Sequence, residues 1–145
     1  MHAVLARELR VAIDQINAAA AKSVSVEDGI IEGALAGLAA LRNSLVEQLL
    51  RTDPSTILPF LTTKAGPLVA MTRQFLVTQA RVAGVAISTE HAEQLAEIAA
   101  RLGLSFVLTR DTVFPVEDEL ALRASLRRVL HPFVAAMFES PLAEA

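Results

Sequence analysis

The feature that most constrains this chain is the helical spacing of small and apolar residues along its last third. Such residues recur at steps of three and four from Thr89 to Thr109, and again from about Glu117 to Leu130, after which Pro132 is expected to close the helix. This recurrence puts them on one face of a helix, whereas a half-buried strand would show strict alternation. The pattern predicts two consecutive amphipathic helices and indicates a surface for dimerisation.

The apolar faces of these two predicted helices have two possible uses. They could pack inside the chain, or they could form a two-fold four-helix interface with a second copy, and each use could be partly realised. Small residues would let helix axes come close, while leucine and phenylalanine side chains would fill the gaps. The candidate interface residues are Ala92, Leu95, Ala99, Leu102, Phe106, Leu122, Leu126, Val129 and Leu130.

The earlier part of the chain also follows helical spacing. Ala3 to about Lys22 forms the first predicted helix, and Ser25 with Asp28 three residues later fits a cap for the second. Start and stop signals delimit three more helices before the closing pair. The second helix ends near Arg42, and the next three run through Leu50, over Ser55–Leu61 and over Pro67–Val82.

After Pro132 we expect one or two more turns, Phe133–Phe138, and then a frayed tail. No segment shows convincing strand alternation. The sequence therefore predicts an all-α chain of about six to seven helices that forms a single domain over residues 1–145.

Composition narrows the function classes. Hydrophobic residues make up 53% of the chain, an excess that an oligomer interface or a lined cavity would hide. The formal charge of −3 argues against non-specific nucleic-acid binding by this chain, which needs a basic surface. The lack of cysteine excludes disulfides and thiolate metal sites. No apolar run reaches the roughly 18 residues of a membrane span, and the N-terminus does not resemble a secretory signal, so we expect a soluble cytoplasmic protein.

Catalytic and cofactor signatures are weak. The three histidines lack metal-ligand spacing, and His91 and His131 are expected to be solvated or capping. Gly103-Leu-Ser105 begins like a nucleophile elbow but lacks the second glycine and a preceding strand. Lys64-Ala-Gly66 lacks the glycine-rich lead of a phosphate loop. We expect no enzyme activity, no cofactor and no metal.

Several short segments, in order, resemble the C-terminal regulatory domain of the TetR family of transcriptional regulators. Each segment alone is weak, but their order and spacing extend over nearly the whole chain. The segments are Leu50-Arg-Thr-Asp-Pro54, Leu58-Pro-Phe-Leu-Thr62, Gly66-Pro-Leu68, Arg101-Leu-Gly-Leu-Ser-Phe-Val-Leu-Thr109 and Leu122-Arg-Ala-Ser-Leu-Arg-Arg-Val-Leu-His-Pro132.

The resemblance implies a homodimer formed through the last two long helices and a ligand cavity among the earlier ones. Ala3–Leu9 looks like the family's connecting helix, which follows the DNA-reading helix-turn-helix. That helix-turn-helix is absent from this chain, so DNA contact is expected only through a domain that these residues do not include. Either a truncated form of a regulator or a natural stand-alone regulatory domain would explain this.

A ligand pocket would draw on the bulky or flexible apolar residues of the middle helices. Methionine suits a permissive pocket, and Thr72, Gln79 and Arg101 could add polar groups. Plain core packing remains the alternative for each residue, and Arg101 could instead pair with Glu97 one turn earlier. The candidate pocket residues are Leu41, Phe60, Leu61, Leu68, Met71, Thr72, Phe75, Gln79 and Phe106.

Together these features predict an effector-sensing and dimerisation domain of a TetR-like repressor. The effector would be a small apolar or amphipathic molecule that enters the helical core and shifts the helix Ala3–Lys22. Such coupling requires that the ligand bind two conformations with different affinity. The alternative is a stand-alone helical dimerisation or interaction protein without a ligand.

Overall fold

A computed structural model of the chain describes residues 2–139, with the side chains of 3–136. These residues form seven α-helices, and no strand occurs among them. The helices are α1 His2–Ala20, α2 Val26–Arg42, α3 Leu45–Thr52, α4 Pro54–Leu61, α5 Gly66–Val82, α6 Thr89–Leu108 and α7 Glu119–Glu139. The prediction of an all-α fold is confirmed.

Local capping explains where several helices begin. The hydroxyl of Ser25 accepts a hydrogen bond from the backbone N–H of Asp28 at 3.1 Å, as its spacing predicts. The side chain of Asp53 caps α4, and Ser88 Oγ accepts from the N–H of His91 at 3.3 Å at the start of α6. Each cap satisfies a backbone donor that the first turn leaves without a helical partner.

The prediction that Pro132 closes the last helix is wrong, because α7 runs through this proline to Glu139. A proline inside a helix removes one hydrogen bond and costs about 3 kcal/mol, so the surroundings must offset it. One supporting contact lies next to the proline, where His131 Nδ1 is 2.9 Å from Glu27 Oε2 on α2. The predicted frayed tail falls in residues 140–145, outside those described.

The described residues group into two compact units. The first contains the chain up to Glu8 together with Asn43–Asp111, and the second contains Leu9–Arg42 together with the described residues from Thr112 on. Whether they act as the single regulatory domain expected from the sequence stays a prediction.

The first unit is built around an apolar cluster at the meeting of α1, α3 and α4. Four buried side chains form its centre: Leu5, Val46, Ile57 and Leu61. Six partly buried side chains surround them: Leu49, Leu50, Phe60, Leu68, Leu104 and Val107. In the same unit α5 and α6 pack against each other.

The second unit is organised by α2 and α7. Ile31, Leu35 and Leu122 form its buried centre, flanked by partly buried leucines that include Leu126 and Leu130. Polar side-chain pairs connect the two helices alongside this seam. They are Arg123–Glu32 at 2.8 Å, Arg127–Asp28 at 2.8 Å and His131–Glu27 at 2.9 Å. Residue numbers fall on α7 as they rise on α2, so the two helices run antiparallel.

Within the second unit, α1 approaches α2 at two glycines of α2, which have no side chain to keep the helices apart. A Cβ placed on Gly33 would lie 3.2 Å from Cγ2 of Ile16, and one placed on Gly37 would lie 3.2 Å from its Cδ1. These distances are shorter than normal carbon contacts. The two glycines therefore form a notch that accepts Ile16.

No single helix among the described residues has both the length and the apolar content to cross a membrane, although α2 and α3 counted together would meet that test of length and composition.

We expect alanine to affect stability differently at two glycines of α2. Gly29→Ala should stabilise the fold by up to about 1 kcal/mol through helix propensity, because its Cβ would meet only ordinary contacts at 3.9 and 4.0 Å. Gly33→Ala should be about 1–3 kcal/mol less stable than Gly29→Ala because Ile16 must move. Urea unfolding measures both. Equal stabilisation at the two sites would contradict the notch, and an Ile16→Ala background should remove the difference.

The ion pair between α2 and α7 predicts a pH dependence. The hydrogen bond from Arg123 holds the pKa of Glu32 below its ordinary value of 4.5 because it favours the carboxylate. A lowered folded-state pKa means that the pair stabilises the fold above about pH 4.5 and loses this effect as the pH falls through the lowered value.

Arg123→Met should therefore reduce the free energy of unfolding by about 1 kcal/mol near neutral pH, since the pair is partly screened by solvent. The gap between this variant and the unchanged chain should shrink in acid. Arg128→Met, at an exposed position of the same helix, is the control and should show no such pH-dependent gap. A gap for Arg123→Met that does not change with pH would refute the assignment.

Candidate functional site

The residues proposed for a ligand pocket share one face of α5. Leu68, Met71, Thr72, Phe75 and Gln79 occur at steps of three or four with one adjacent pair, which is the spacing of a single helical face. All five are partly or largely exposed, and Met71 is the most exposed at 40%. The structure thus presents them on a face that the chain only partly covers.

The charges of α5 lie away from this face. Nη1 of Arg73 donates to Oε2 of Glu97 on α6 at 2.7 Å, and Arg81 reaches Thr89 Oγ1 at 3.4 Å. The hydroxyl of Thr72 donates to the backbone carbonyl of Leu68 at 2.9 Å, which leaves its lone pairs as acceptors. The predicted pocket face of α5 is therefore uncharged and mostly apolar.

The other proposed pocket residues occupy different places. Phe60 and Leu61 belong to the apolar cluster of the first unit, where Leu61 is buried. Phe106 lies on α6 and is half-buried, whereas Leu41 is half-buried in the second unit. The structure brings the five α5 residues together on one face. The pocket as a whole stays a prediction.

An open groove of about 590 Å³ lies elsewhere in the first unit, and its lining is charged. The proposed pocket residues do not line it, although Arg101, the suggested polar contributor, does. Its lining residues are Arg73, Glu90, Glu93, Gln94, Glu97, Ile98 and Arg101. This groove resembles a solvated helix surface more than the apolar concavity that encloses most small ligands.

Glu97 is the electrostatic centre of the groove. Its Oε1 accepts hydrogen bonds from Nε and Nη2 of Arg101 at 3.0 and 2.8 Å, which confirms the predicted pair one turn apart. The hydrogen bonds from Arg101 and then from Arg73 lower the pKa of Glu97 by favouring its charged form. Sequence spacing can reveal the pair within α6, but the link to Arg73 depends on how α5 and α6 pack.

The proposed interface residues of α6 lie on a face that is open to solvent. Leu95 is 40% exposed and Leu102 is 56% exposed. Between them Ile98, which the sequence reasoning missed, is also 56% exposed. We call Leu95, Ile98 and Leu102 the α6 strip. Their spacing of three and four residues was a sufficient signal for including Ile98.

The remaining proposed interface residues of α6 are Ala92, Ala99 and Phe106. Ala99 is exposed, while Ala92 and Phe106 are half-buried. Two other alanines of the same helix, Ala96 and Ala100, are buried inside the chain. Helix α6 therefore has one small-residue face inside the unit and a separate apolar strip outside it.

The proposed interface residues of α7 are largely engaged within the chain. Leu122 is only 4% exposed and packs with the α2 residues of the second unit's core. Leu126 and Leu130 pack against the same core, whereas Val129 is 46% exposed. Packing inside the chain, one of the two uses suggested by the sequence, thus accounts for part of the apolar face of α7. Whether the residues also contact a second copy stays a prediction.

The histidines have local partners. His91 Nδ1 lies 2.9 Å from the capping hydroxyl of Ser88. His131 is paired with Glu27 and is still largely exposed, so its expected solvation is combined with a contact between helices that the sequence did not reveal. Across the described part of the chain, no group of three histidine, aspartate or glutamate side chains is placed to hold a metal ion.

Comparison with known protein families identifies the family to which this helical chain belongs. The family model for the bacterial tetracyclin repressor, C-terminal domain, matches residues 26–132. No curated protein and no solved structure gives a significant match. The matched region begins with α2 and ends at Pro132 within α7, so it includes both the uncharged face of α5 and the α6 strip. The chain therefore belongs to the TetR family, as a C-terminal domain of that family.

Proposed function

We propose that this chain is the effector-sensing and dimerisation domain of a TetR-like transcriptional repressor. The observation that carries the proposal is the presence, within one family-matched region, of two partly exposed apolar faces on neighbouring helices. One is the uncharged face of α5 and the other is the α6 strip. Family membership supports regulation in general, and the two faces support the particular roles.

The α5 face is suited to a neutral apolar or amphipathic molecule. Leu68, Met71 and Phe75 supply apolar and adaptable contact area. Thr72 can accept a hydrogen bond, and Gln79 can both donate and accept. Because the charged side chains of α5 point to other partners, a charged ligand would find no counter-ion on this face.

We expect a neutral long-chain amide to raise the melting temperature of the chain more than a carboxylate or an amine of equal length. A ligand that binds only the folded state stabilises it by RT ln(1 + [L]/Kd), so at equal concentration the compound that binds more tightly gives the larger shift. Differential scanning fluorimetry with decanamide, decanoate and decylamine makes this comparison.

Met71→Glu should abolish the shift given by decanamide, because it places a charge on the proposed ligand face. Gln74→Glu adds the same charge at an exposed position outside the five-residue face and should leave the shift unchanged. Stabilisation that survives Met71→Glu would remove the α5 face from the proposal. The absence of stabilisation by any apolar probe would favour the alternative, a helical dimerisation or interaction protein without a ligand.

Dimerisation is supported by the amount of apolar surface that the α6 strip leaves in water. Burying such side chains contributes about 25 cal/mol per Å² of apolar surface. A face with leucine or isoleucine at three positions on consecutive turns is a typical surface for contact between helices. Two copies that bury this strip together would also account for the high apolar fraction of the chain.

Ile98→Asp should weaken the dimer by at least tenfold, because a charge would have to be buried in the interface. The substitution should leave helicity unchanged, since Ile98 is exposed within the chain. Light scattering coupled to size exclusion measures the molar mass, with Leu120→Asp on α7 as a control at another exposed apolar position. A dimer that tolerates Ile98→Asp but dissociates with Leu120→Asp would contradict the role of the strip.

A further inference from the structure

We propose that the pair formed by His131 and Glu27 is a pH-sensitive contact, which fastens the last part of α7 to the start of α2 in mildly acidic solution. Protonation of the imidazole strengthens the contact, and loss of that proton weakens it. This inference concerns the second unit alone and goes beyond the proposed effector sensing and dimerisation.

His131 is the last of three α7 side chains that contact acids of α2. The three side chains follow one another at steps of four, so they lie in one row along the helix. Arginine stays charged up to about pH 12, whereas histidine gains or loses its charge between about pH 5 and 8. The row therefore combines two permanent charge pairs with one contact that depends on pH. The pairs are Arg123–Glu32 and Arg127–Asp28 at 2.8 Å and His131–Glu27 at 2.9 Å.

The geometry of this third pair favours a response to the charge on the ring. Nδ1 of His131 lies 2.9 Å from Oε2 of Glu27, which is hydrogen-bonding distance. The side chain of His131 is 67% exposed, so its ring exchanges protons directly with the solvent, while that of Glu27 is only 18% exposed. Glu27 is also in the first turn of α2, where the helix dipole favours a negative charge. The imidazole is therefore the member of the pair that changes its charge near neutral pH.

The other charged groups around the pair keep their charge in this pH range. On α2, Asp28 accepts a hydrogen bond from Nη2 of Arg127 at 2.8 Å, so each of these two groups reduces the field of the other. On α7, Arg128 is exposed three residues before His131. Lys22, in the turn before α2, is also exposed. These cations disfavour a further positive charge on the ring, but solvent screens them, whereas the carboxylate of Glu27 is in direct contact.

The position next to Pro132 makes this contact matter for the end of α7. Proline has no N–H, so Pro132 cannot donate the usual helical hydrogen bond to the carbonyl of Arg128. The apolar core of the second unit reaches Leu130, whereas Phe133 is 66% exposed. The turn around Pro132 therefore depends more than other turns of α7 on a side-chain contact with α2.

The contact should weaken, rather than disappear, as the pH rises. A neutral ring can still donate from Nδ1 to Glu27, but it loses the attraction between opposite charges. Histidine ordinarily loses its proton near pH 6.5, and glutamate gains one only near pH 4.3. The contact should therefore be strongest between about pH 5 and 6 and weaker by about pH 7.5. An exposed ion pair contributes modestly, which corresponds to about a twofold to fivefold change in local opening.

Native-state hydrogen exchange measures how firmly the end of α7 is attached. After correction for the intrinsic exchange rate, the amides of residues 133–136 should be about twofold to fivefold better protected at pH 5.5 than at pH 7.5. Amides of α5 in the same sample give the reference for any change in overall stability. His131→Gln keeps a side-chain donor that does not titrate and should abolish the difference. His131→Arg keeps a positive charge at both pH values and should do the same.

Two further variants separate this pair from a general effect of pH. Glu27→Gln should also abolish the difference, because the imidazolium then has no carboxylate partner. His91→Gln should retain it, since the ring of His91 contacts the hydroxyl of Ser88 at 2.9 Å on another helix. Circular dichroism at both pH values verifies that each variant keeps its helices.

Two results would overturn the proposal. One is equal protection of residues 133–136 at both pH values in the unchanged chain. The other is a pH difference that persists in His131→Gln, which would assign the response to another group. Neither result affects the proposed function, because that rests on the α5 face and the α6 strip.

Discussion

The packing of α6 against α5 in the first unit is the constraint on which the functional surfaces depend. Ala96 and Ala100 are buried on α6, and Val69 and Val77 are buried on α5. Because these faces are used inside the unit, the remaining faces of both helices are available for other contacts. The salt bridge between Arg73 and Glu97 adds a polar contact between the two helices. It also pairs one of the two charged side chains of α5 with a residue of α6.

The second unit uses a different arrangement to hold α7. An apolar seam between α2 and α7 is bordered by acids on α2 and bases on α7. Arg123 contacts both Glu32 and Glu119, and these hydrogen bonds raise its pKa further above an already high value. Individual exposed pairs contribute little, but a connected set fixes the register of two helices. These contacts explain why the apolar row of α7, which the sequence offered as a dimer interface, packs against α2 within the chain.

Much of the fold could be predicted because its signals are local. Ser25, Asp53 and Ser88 cap helices through contacts with the next three residues, and apolar spacing identifies each helical segment. Pro132 was misjudged because proline usually ends or kinks a helix, whereas α7 continues through this proline to Glu139. The pair of Glu97 with Arg101 was accessible from spacing, whereas its contact with Arg73 required the packing of two helices.

The candidate surfaces were predicted less completely for the same reason. Sequence periodicity groups Ile98 with Leu95 and Leu102 on one apolar face of α6, but it does not show which face α5 covers, so the burial of Ala96 could not be known in advance. Native mass spectrometry of the unmodified chain tests the central claim most directly. The account predicts a dimer of about twice 15.5 kDa that retains added neutral apolar ligand. A monomer of 15.5 kDa that binds none would contradict it.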